Sequence, residues 1–338
     1  MISIIIVNYN GKKRLQKCFD SINNQTYRDF EVIMVDNGSS DDSISYAQSN
    51  YPQIKIVKSP NNLGFAWGNN LWVKEAKWEY ILLLNNDTLI KENLLEKMIN
   101  TMIQNPNIWI LQPKLVYMNH TNKIDNLWWF FTKTWFLYYR WNDKNINESI
   151  YQKAKKVFTV KWACAITRSS IIDKIWLFDD DFWSYYEETD FCHRVINLWY
   201  ECRYYPNTTC YHFNWWTSND KFPNEYIQFH NFKNKICSFI KNFDTWTLVK
   251  FIPIYILFTI AISIIWLVKW KYKHFLAIYK AFWRNIINIK KNLIKRDQVF
   301  SFKKNNDKIL LNWLIKNPKL IYYYYLMFNK ISLYKDKD

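Results

Sequence analysis

Three carboxylates stand close together in SYYEETDFCHR: Glu187, Glu188 and Asp190. Like charges at this spacing raise one another's pKa, and a carboxylate raised in this way suits a general base. The plainer alternative is an acidic helix start, which the helix dipole favours on its own. Tyr185 and Tyr186, just before them, suggest the wall of a pocket. Asn85-Asn86-Asp87 follows the apolar run YILLL. An oxygen ligand, a spacer and an Asp can hold a hard divalent cation, Mg²⁺ or Mn²⁺, against a diphosphate; a solvated turn is the alternative. His212, in YHFNWW, is a candidate further metal ligand, with a structural histidine as the alternative. Asp36 closes FEVIMVD and can accept hydrogen bonds from a base or ribose, or else cap the helix after DNGSS.

The surrounding pattern says what must position these groups. ISIIIVN (2–8), FEVIMVD (30–36), IKIVKS (54–59) and YILLLN (80–85) read as buried strands. Helical spacing fills the stretches between, over 12–24, 43–50 and from the glycine-bearing loop NNLGFAWGNNLW to about Lys77. Residues 89–104 read as an amphipathic helix that Asn105-Pro106 ends. Strands alternating with helices predict βαβ units and a Rossmann-like, mostly parallel central sheet with helices on both faces. Asn8, Tyr9, Asp36 and Asn85 to Asp87 then gather at the strand C-terminal ends, the edge where such sheets bind ligands. After about residue 110 the order changes: 115–160 is aromatic and irregular, while 187–199 and 222–243 read as helices.

Composition bounds the rest. The 338 residues carry a formal charge of +17, which suits phosphorylated substrates, an anionic membrane or nucleic acid. The six cysteines form no C-x-x-C pair, so neither a zinc site nor a disulfide framework is expected, and reduced cytosolic thiols fit. MISIIIVNYNG lacks the basic segment and small-residue cleavage site of a signal peptide. Four glycines beside 19 tryptophans are out of proportion, since glycine normally makes up about 7% of a chain. Either the protein is unusually rich in Trp, or many of these Trp stand where Gly belongs.

In order, IIIVNYNG, QTYRDFEVIMVDNGSSD, NNLGFAWGNN, EYILLLNNDT, WACAITR, YYEETDFCHR and YHFNWWTS resemble the inverting glycosyltransferases of family 2, which have a GT-A fold. Within that family they look like the bacterial rhamnosyltransferase and galactofuranosyltransferase-like branch. The resemblance covers about residues 1–220. It implies that Asn8, Tyr9, Asn10, Asp36, Gly68 and Asn69 hold the donor nucleotide, with Asn85 and Asn86 beside them. Asn85-Asn86-Asp87 corresponds to the family's D-x-D metal motif with Asn in first place, which leaves Asp87 as the main carboxylate ligand of Mg²⁺ or Mn²⁺. His212 corresponds to an additional metal ligand. Glu188 falls where the catalytic base is expected, with Glu187 and Asp190 as alternatives. The implied donor is a UDP- or dTDP-sugar. The implied acceptor is a glycan or polyprenyl-linked glycan for cell-surface polysaccharide. Nucleic acid is not an expected partner. The family also favours Gly where this chain has Trp67, Trp72, Trp78, Trp109, Trp162, Trp176, Trp199 and one or both of Trp215 and Trp216. UGA codons read as Gly and translated here as Trp would account for the pattern, with a truly Trp-rich protein as the rival.

Two rival readings remain, a nucleotidyltransferase and a non-catalytic basic module that binds membrane or nucleic acid. VNYNGKKR is only faintly like the glycine-rich fingerprint the first requires. The expected organisation is a catalytic domain over 1–220, membrane-associated helices over 221–300 and a basic tail over 301–338. FIPIYILFTIAISIIWLV (251–268) has no charge for 18 residues, near the lower limit for a spanning helix. Residues 231–250 hold four Lys and 269–288 hold five Lys and Arg, so neither flank looks translocated. A helix that lies in or re-enters the inner leaflet on the cytoplasmic face, with basic residues on anionic lipid headgroups, is the expectation.

Overall fold

The computed structural model describes all residues except 74, 127, 133, 135–136, 141–143, 214–222, 316–318 and 328–338. The first half follows the βα alternation: β1 (Ile2–Asn8), α1 (Lys12–Asn23), β2 (Phe30–Asn37), α2 (Ser43–Asn50), β3 (Lys55–Ser59), α3 (Gly64–Val73) and β4 (Tyr80–Leu84). Side chains alternate across a strand. Ile2, Ile4 and Ile6 therefore meet Leu15 and Phe19 of α1 on one face, while Ile5 joins the core on the other. β1 pairs in parallel with both β2 and β4, and β2 with β3.

The second half is mixed. It contains β5 (Thr88–Ile90), α4 (Leu94–Gln104), β6 (Ile108–Tyr117), β7 (Ile124–Asn126), β8 (Trp128–Phe131), β9 (Leu137–Arg140), β10 (Lys155–Val157), β11 (Cys164–Arg168), α5 (Ser169–Ile175), α6 (Glu187–Asn197) and β12 (Glu201–His212). The helix expected from residue 89 begins only at Leu94, because Thr88–Ile90 pairs antiparallel with the end of β12. The sheet runs β10-β12-β6-β11-β4-β1-β2-β3. β11 is antiparallel to both its neighbours, so it separates the parallel run of β3, β2, β1 and β4 from a further parallel pair, β12 and β6. The chain steps from β1 outward to β2 and β3, then returns to place β4 on the other side of β1. That reversal opens a crevice at the C-terminal ends of β1 and β4.

Six helices follow among the described residues: α7 (Asn224–Asn242), α8 (Thr245–Val268), α9 (Tyr272–Ile287), α10 (Ile289–Phe302), α11 (Asp307–Leu314) and α12 (Leu320–Met327). The boundaries expected at 220 and 300 do not divide the packing. Phe239, Phe243 and Tyr255 share one core with Phe131, Phe158 and the face of the sheet that carries Ile5. The expected tail holds two helices, and Leu310, Leu314 and Tyr322 are buried in that same core.

Several Trp sit in conformations that suit glycine. Trp199 (φ 69°) follows the last turn of α6, where its N–H donates to the Ile196 carbonyl. Trp270 (φ 57°) follows α8, with its N–H on Leu267 O and that of Lys271 on Trp266 O, the paired bonds of a Schellman cap. Trp176 ends α5 at φ 46°, ψ 160°. These are positions where glycine avoids a Cβ clash. The indole N–H groups of Trp72, Trp78, Trp109 and Trp162 are buried with no hydrogen-bond partner among the described residues. A buried indole N–H normally finds one. Trp215 and Trp216 lie outside the described residues. Trp199→Gly is expected to raise the unfolding free energy by about 1 kcal/mol, because left-handed backbone costs a non-glycine residue about 1–2 kcal/mol. Urea denaturation checks this, and a net loss of stability would contradict it.

Candidate active site

Asn8, at the end of β1, is fully buried. Its amide donates to Ser43 Oγ (2.9 Å), and its carbonyl oxygen accepts from Asn86 Nδ2 (2.8 Å). This bond ties the end of β1 to the turn after β4 across the crevice. A Cβ at Gly11 would stand 2.1 Å from Asn8 Oδ1, so only glycine leaves room for the bond. Asn10, at φ 49°, accepts from the backbone N–H groups of Ser40 and Asp41 and so clamps the loop after β2. Asn8 and Asn10 thus brace the edge of the crevice from within, and Tyr9 between them is partly exposed. Asp36 accepts from Ser39 N–H through Oδ2, while its buried Oδ1 has no partner among the described residues. A buried carboxylate oxygen without a donor suits a hydroxyl or ring N–H brought by a ligand.

The stretch expected to be a nucleotide loop is largely helix. Gly68 and Asn69 lie inside α3, where Gly68 packs against Val7 of β1 and Asn69 donates to Phe65 O one turn back. Their place corrects the expectation: they set how closely helix and strand approach, and the Asn69 amide is held within its own helix. Trp67 is exposed on that helix and donates to Asp180 O.

The turn after β4 delivers Asp87 to His212 at the end of β12, with Oδ1 3.2 Å from Nε2. Both side chains are buried. Burial pushes the Asp87 carboxyl up, but His212, Arg14 and Lys161 outweigh it and hold it below the usual carboxylate range. Burial pulls the His212 imidazole down, and Asp87 and Asp125 more than offset this and raise it. Among the described residues, no three His, Cys, Asp or Glu side chains form a metal cage. The Asp87–His212 pair nevertheless fits Mg²⁺ or Mn²⁺. Two neighbouring ligands of an octahedral ion at about 2.1 Å stand about 3 Å apart, and such ions commonly take one or two carboxylates with substrate phosphates completing the shell. Asn85, the first residue of the triplet, is partly exposed.

Glu187 and Glu188 open α6 directly after Tyr185 (φ 73°) and Tyr186 (φ 72°). Two consecutive left-handed non-glycine residues persist only where their surroundings hold them, and such strain clusters at functional sites. Asn234 of α7 holds this turn by donating to the Ser184 and Tyr185 carbonyls (3.0 and 2.7 Å). The Tyr186 side chain is buried in the core and does not form an open pocket wall. Glu187 is buried with Oε2 unpartnered among the described residues, and burial, then Glu188, drive its pKa well above the ordinary value. Glu188 keeps partial exposure, and the dense protein around it pushes its carboxyl up to about 7 against the opposing charge of Lys161. Asp190 is set apart from the other two. It is fully buried and engaged by Arg194, Lys241 and Asn242, which identifies it as a structural counter-ion and corrects its place among the candidate bases.

Sequence reasoning missed Asp125, Lys161 and Arg14. Lys161 acts electrostatically on Asp87, His212 and Glu188, so the cation pair and the raised carboxylate share one neighbourhood. The one available signal was Asp125, an isolated acid before the aromatic run of IDNLWWFF.

The same architecture recurs among solved structures. That of GalNAc-T7 with UDP, GalNAc and Mn²⁺ aligns at a TM-score of 0.58 and 13% identity, over 73% of this chain and 49% of that one. S. aureus TarS aligns at 0.51 and 17%, over 74% and 41%. Identity this low speaks to the fold alone, which is of the GT-A type. The sequence settles the family: residues 3–176 match Glycosyl transferase family 2, and the chain belongs to it. Glycosyltransferase GlyG of Streptococcus pneumoniae serotype 4 is 34% identical over 99 residues, 28% of this chain and 33% of that protein. A chondroitin synthase of Pasteurella multocida is 35% identical over 99 residues, 28% of this chain and 10% of its own length. The matches therefore span a third or less of these two relatives.

Proposed function

We propose that this chain transfers a sugar from a nucleoside-diphosphate donor, a UDP- or dTDP-sugar, to a glycan or polyprenyl-linked acceptor with inversion at the anomeric carbon. The rhamnosyltransferase and galactofuranosyltransferase-like branch, and a role in cell-surface polysaccharide, belong to the same reading. The observation that carries it is the gathering of the Asp87–His212 pair and the raised Glu188 carboxylate around Lys161. Asp36 Oδ1 and the edge braced by Asn8, Asn10 and Asn86 receive the nucleotide, with Tyr9 and Asn85 beside them. Asp87 and His212 hold Mg²⁺ or Mn²⁺, which supplies positive charge to the departing diphosphate. Glu188 takes the proton from the acceptor hydroxyl as that oxygen attacks from the face opposite the leaving group, while burial raises the Glu187 carboxyl and so favours the neutral form of that neighbour. A single displacement of this kind inverts the configuration.

Asp87→Ala is expected to weaken metal-dependent nucleotide binding at least about tenfold, or 1.4 kcal/mol. Titration calorimetry with and without EDTA tests it. Nucleotide affinity indifferent both to the substitution and to EDTA would remove the metal from the reading. Products carrying nucleotide instead of sugar would favour a nucleotidyltransferase.

The reading includes binding to anionic lipid on the cytoplasmic face of the membrane. α8 has 24 residues, is apolar enough to cross a membrane, and leaves Trp246, Leu257, Ile264 and Val268 exposed. α9 and α10 nevertheless return to the side of the catalytic domain: Asn285 donates to Lys233 O of α7, and Lys295 pairs with Asp179. A helix crossing the bilayer would place them on the far side, so this packing favours α8 lying in one leaflet. Full-length protein should sediment with anionic vesicles, and a C-terminal tag should resist protease added outside intact cells. A tag cleaved from outside would overturn the one-leaflet arrangement.

A further inference from the structure

His212 has a second partner that no motif announces. Its Nδ1 lies 2.7 Å from Asp125 Oδ2, on the side of the ring away from Asp87. Asp125 sits on β7, an edge strand paired with β6, while β12, which ends in His212, lies in parallel register with β6 on its other side. Both oxygens of Asp125 accept from Lys161 Nζ, at 2.9 and 2.8 Å, and the Lys161 backbone N–H donates to Gln112 Oε1 of β6 at 2.7 Å. Asp125 and His212 are both at most 4% exposed. The result is a line of four groups, Lys161, Asp125, His212 and Asp87, two of them on strands β7 and β12 and two on the segments before β11 and after β4.

Resting on the proposed metal role of Asp87 and His212, we infer that Asp125 and Lys161 are positioning residues that fix which nitrogen of His212 faces the cation. A neutral imidazole carries its proton on one nitrogen and a lone pair on the other. Asp125 is acceptor-only and reaches only Nδ1, so it holds the proton there and leaves the lone pair on Nε2, beside Asp87. Without it the proton can move to Nε2, where it donates to Asp87 and closes that position to a cation. Lys161 keeps the carboxylate from rotating away. Carboxylate partners of this kind typically contribute 10–100-fold to metal affinity.

Asp125→Asn makes the test sharp. In the carboxylate, Oδ2 serves both Lys161 and His212 while Oδ1 serves Lys161 alone. An amide oxygen at the Oδ2 position still accepts from Nδ1 but without the negative charge that holds the proton there, and an amide turned the other way puts its N–H against Nδ1 and drives the proton to Nε2. Full-length wild type, Asp125→Asn, His212→Ala and the double variant are titrated with Mn²⁺ alone by electron paramagnetic resonance, and the tautomer of metal-free His212 is read by ¹⁵N NMR. The expected results are about a 10–100-fold loss of Mn²⁺ affinity for Asp125→Asn, a tautomer population shifted from Nδ1–H towards Nε2–H, and no further loss when Asp125→Asn is added to His212→Ala. Lys161→Met, which keeps the Asp125–His212 bond, should lose affinity by a smaller factor and covers the case in which Asp125→Asn does not fold. Wild-type affinity in both the Asp125 and Lys161 variants, or an equal loss from Asp125→Asn without His212, would overturn the inference while leaving the metal site standing. A wild type that binds no Mn²⁺ would bring down the metal reading together with it.

Discussion

Glu188→Gln should reduce sugar transfer by about 10²–10⁴-fold while leaving donor binding intact, because the amide keeps the shape of the side chain but cannot take a proton. The pH profile supplies the sign. A base works only when deprotonated, and burial sets this carboxyl at about 7, so kcat/KM should rise with pH below that value and level off above it. The residual activity of Glu188→Gln should lack this limb. Glu187→Gln mimics the neutral form that burial favours in Glu187, so it should keep most of the activity. A normal rate in Glu188→Gln with a collapse in Glu187→Gln would exchange the two roles.

The second large effect is on stability. Lys241 of α7 is fully buried and pairs with both Asp179 and Asp190, Lys295 of α10 also pairs with Asp179, and Arg194 completes the set. These bonds fasten the C-terminal helices to α6 and to the loop before it. Removing one member of a buried pair leaves uncompensated charge and typically costs about 3–5 kcal/mol. Lys241→Met, which keeps most of the volume, should lower the unfolding free energy by that amount in urea denaturation, and a loss below about 1 kcal/mol would deny the network a structural role. Burial alone would raise Asp190, but Lys241 and then Arg194 hold it below the ordinary carboxylate range. A depressed carboxylate stabilises the fold above its unfolded pKa of about 3.9, and that contribution is lost as pH falls towards the lower folded value. Acid sensitivity in this window should therefore shrink in Lys241→Met.

This network also explains why the chain does not divide at residue 220. The sequence shows a run of Lys and apolar residues after that point, which reads as a separate basic anchor. Only the fold reveals that Lys233, Lys241, Lys291 and Lys295 converge on Asp179, Asp181 and Asp190 or on the backbone beside them. The parallel half of the sheet was legible because β-branched runs and turn residues report local geometry. Glu188, Asp87 and His212 could be singled out as candidates because their motifs occur in order. Asp125 and Lys161 were not, since a short edge strand and the irregular segment before β11 carry no periodic signal and their roles depend on contacts across the sheet. Gly68 and Asn69 misled because glycine permits close packing as readily as ligand approach, and here it serves the contact of α3 with β1.

The most direct measurement is nucleoside-diphosphate release by the purified full-length protein incubated with Mn²⁺ and a panel of UDP-, dTDP- and GDP-sugars, with and without EDTA. The account predicts release from at least one donor, suppressed by EDTA and by Asp87→Ala, with the sugar recovered on water or on an added acceptor. Protein that binds Mn²⁺ yet releases diphosphate from none of these donors, or that releases it equally well in EDTA, would contradict it.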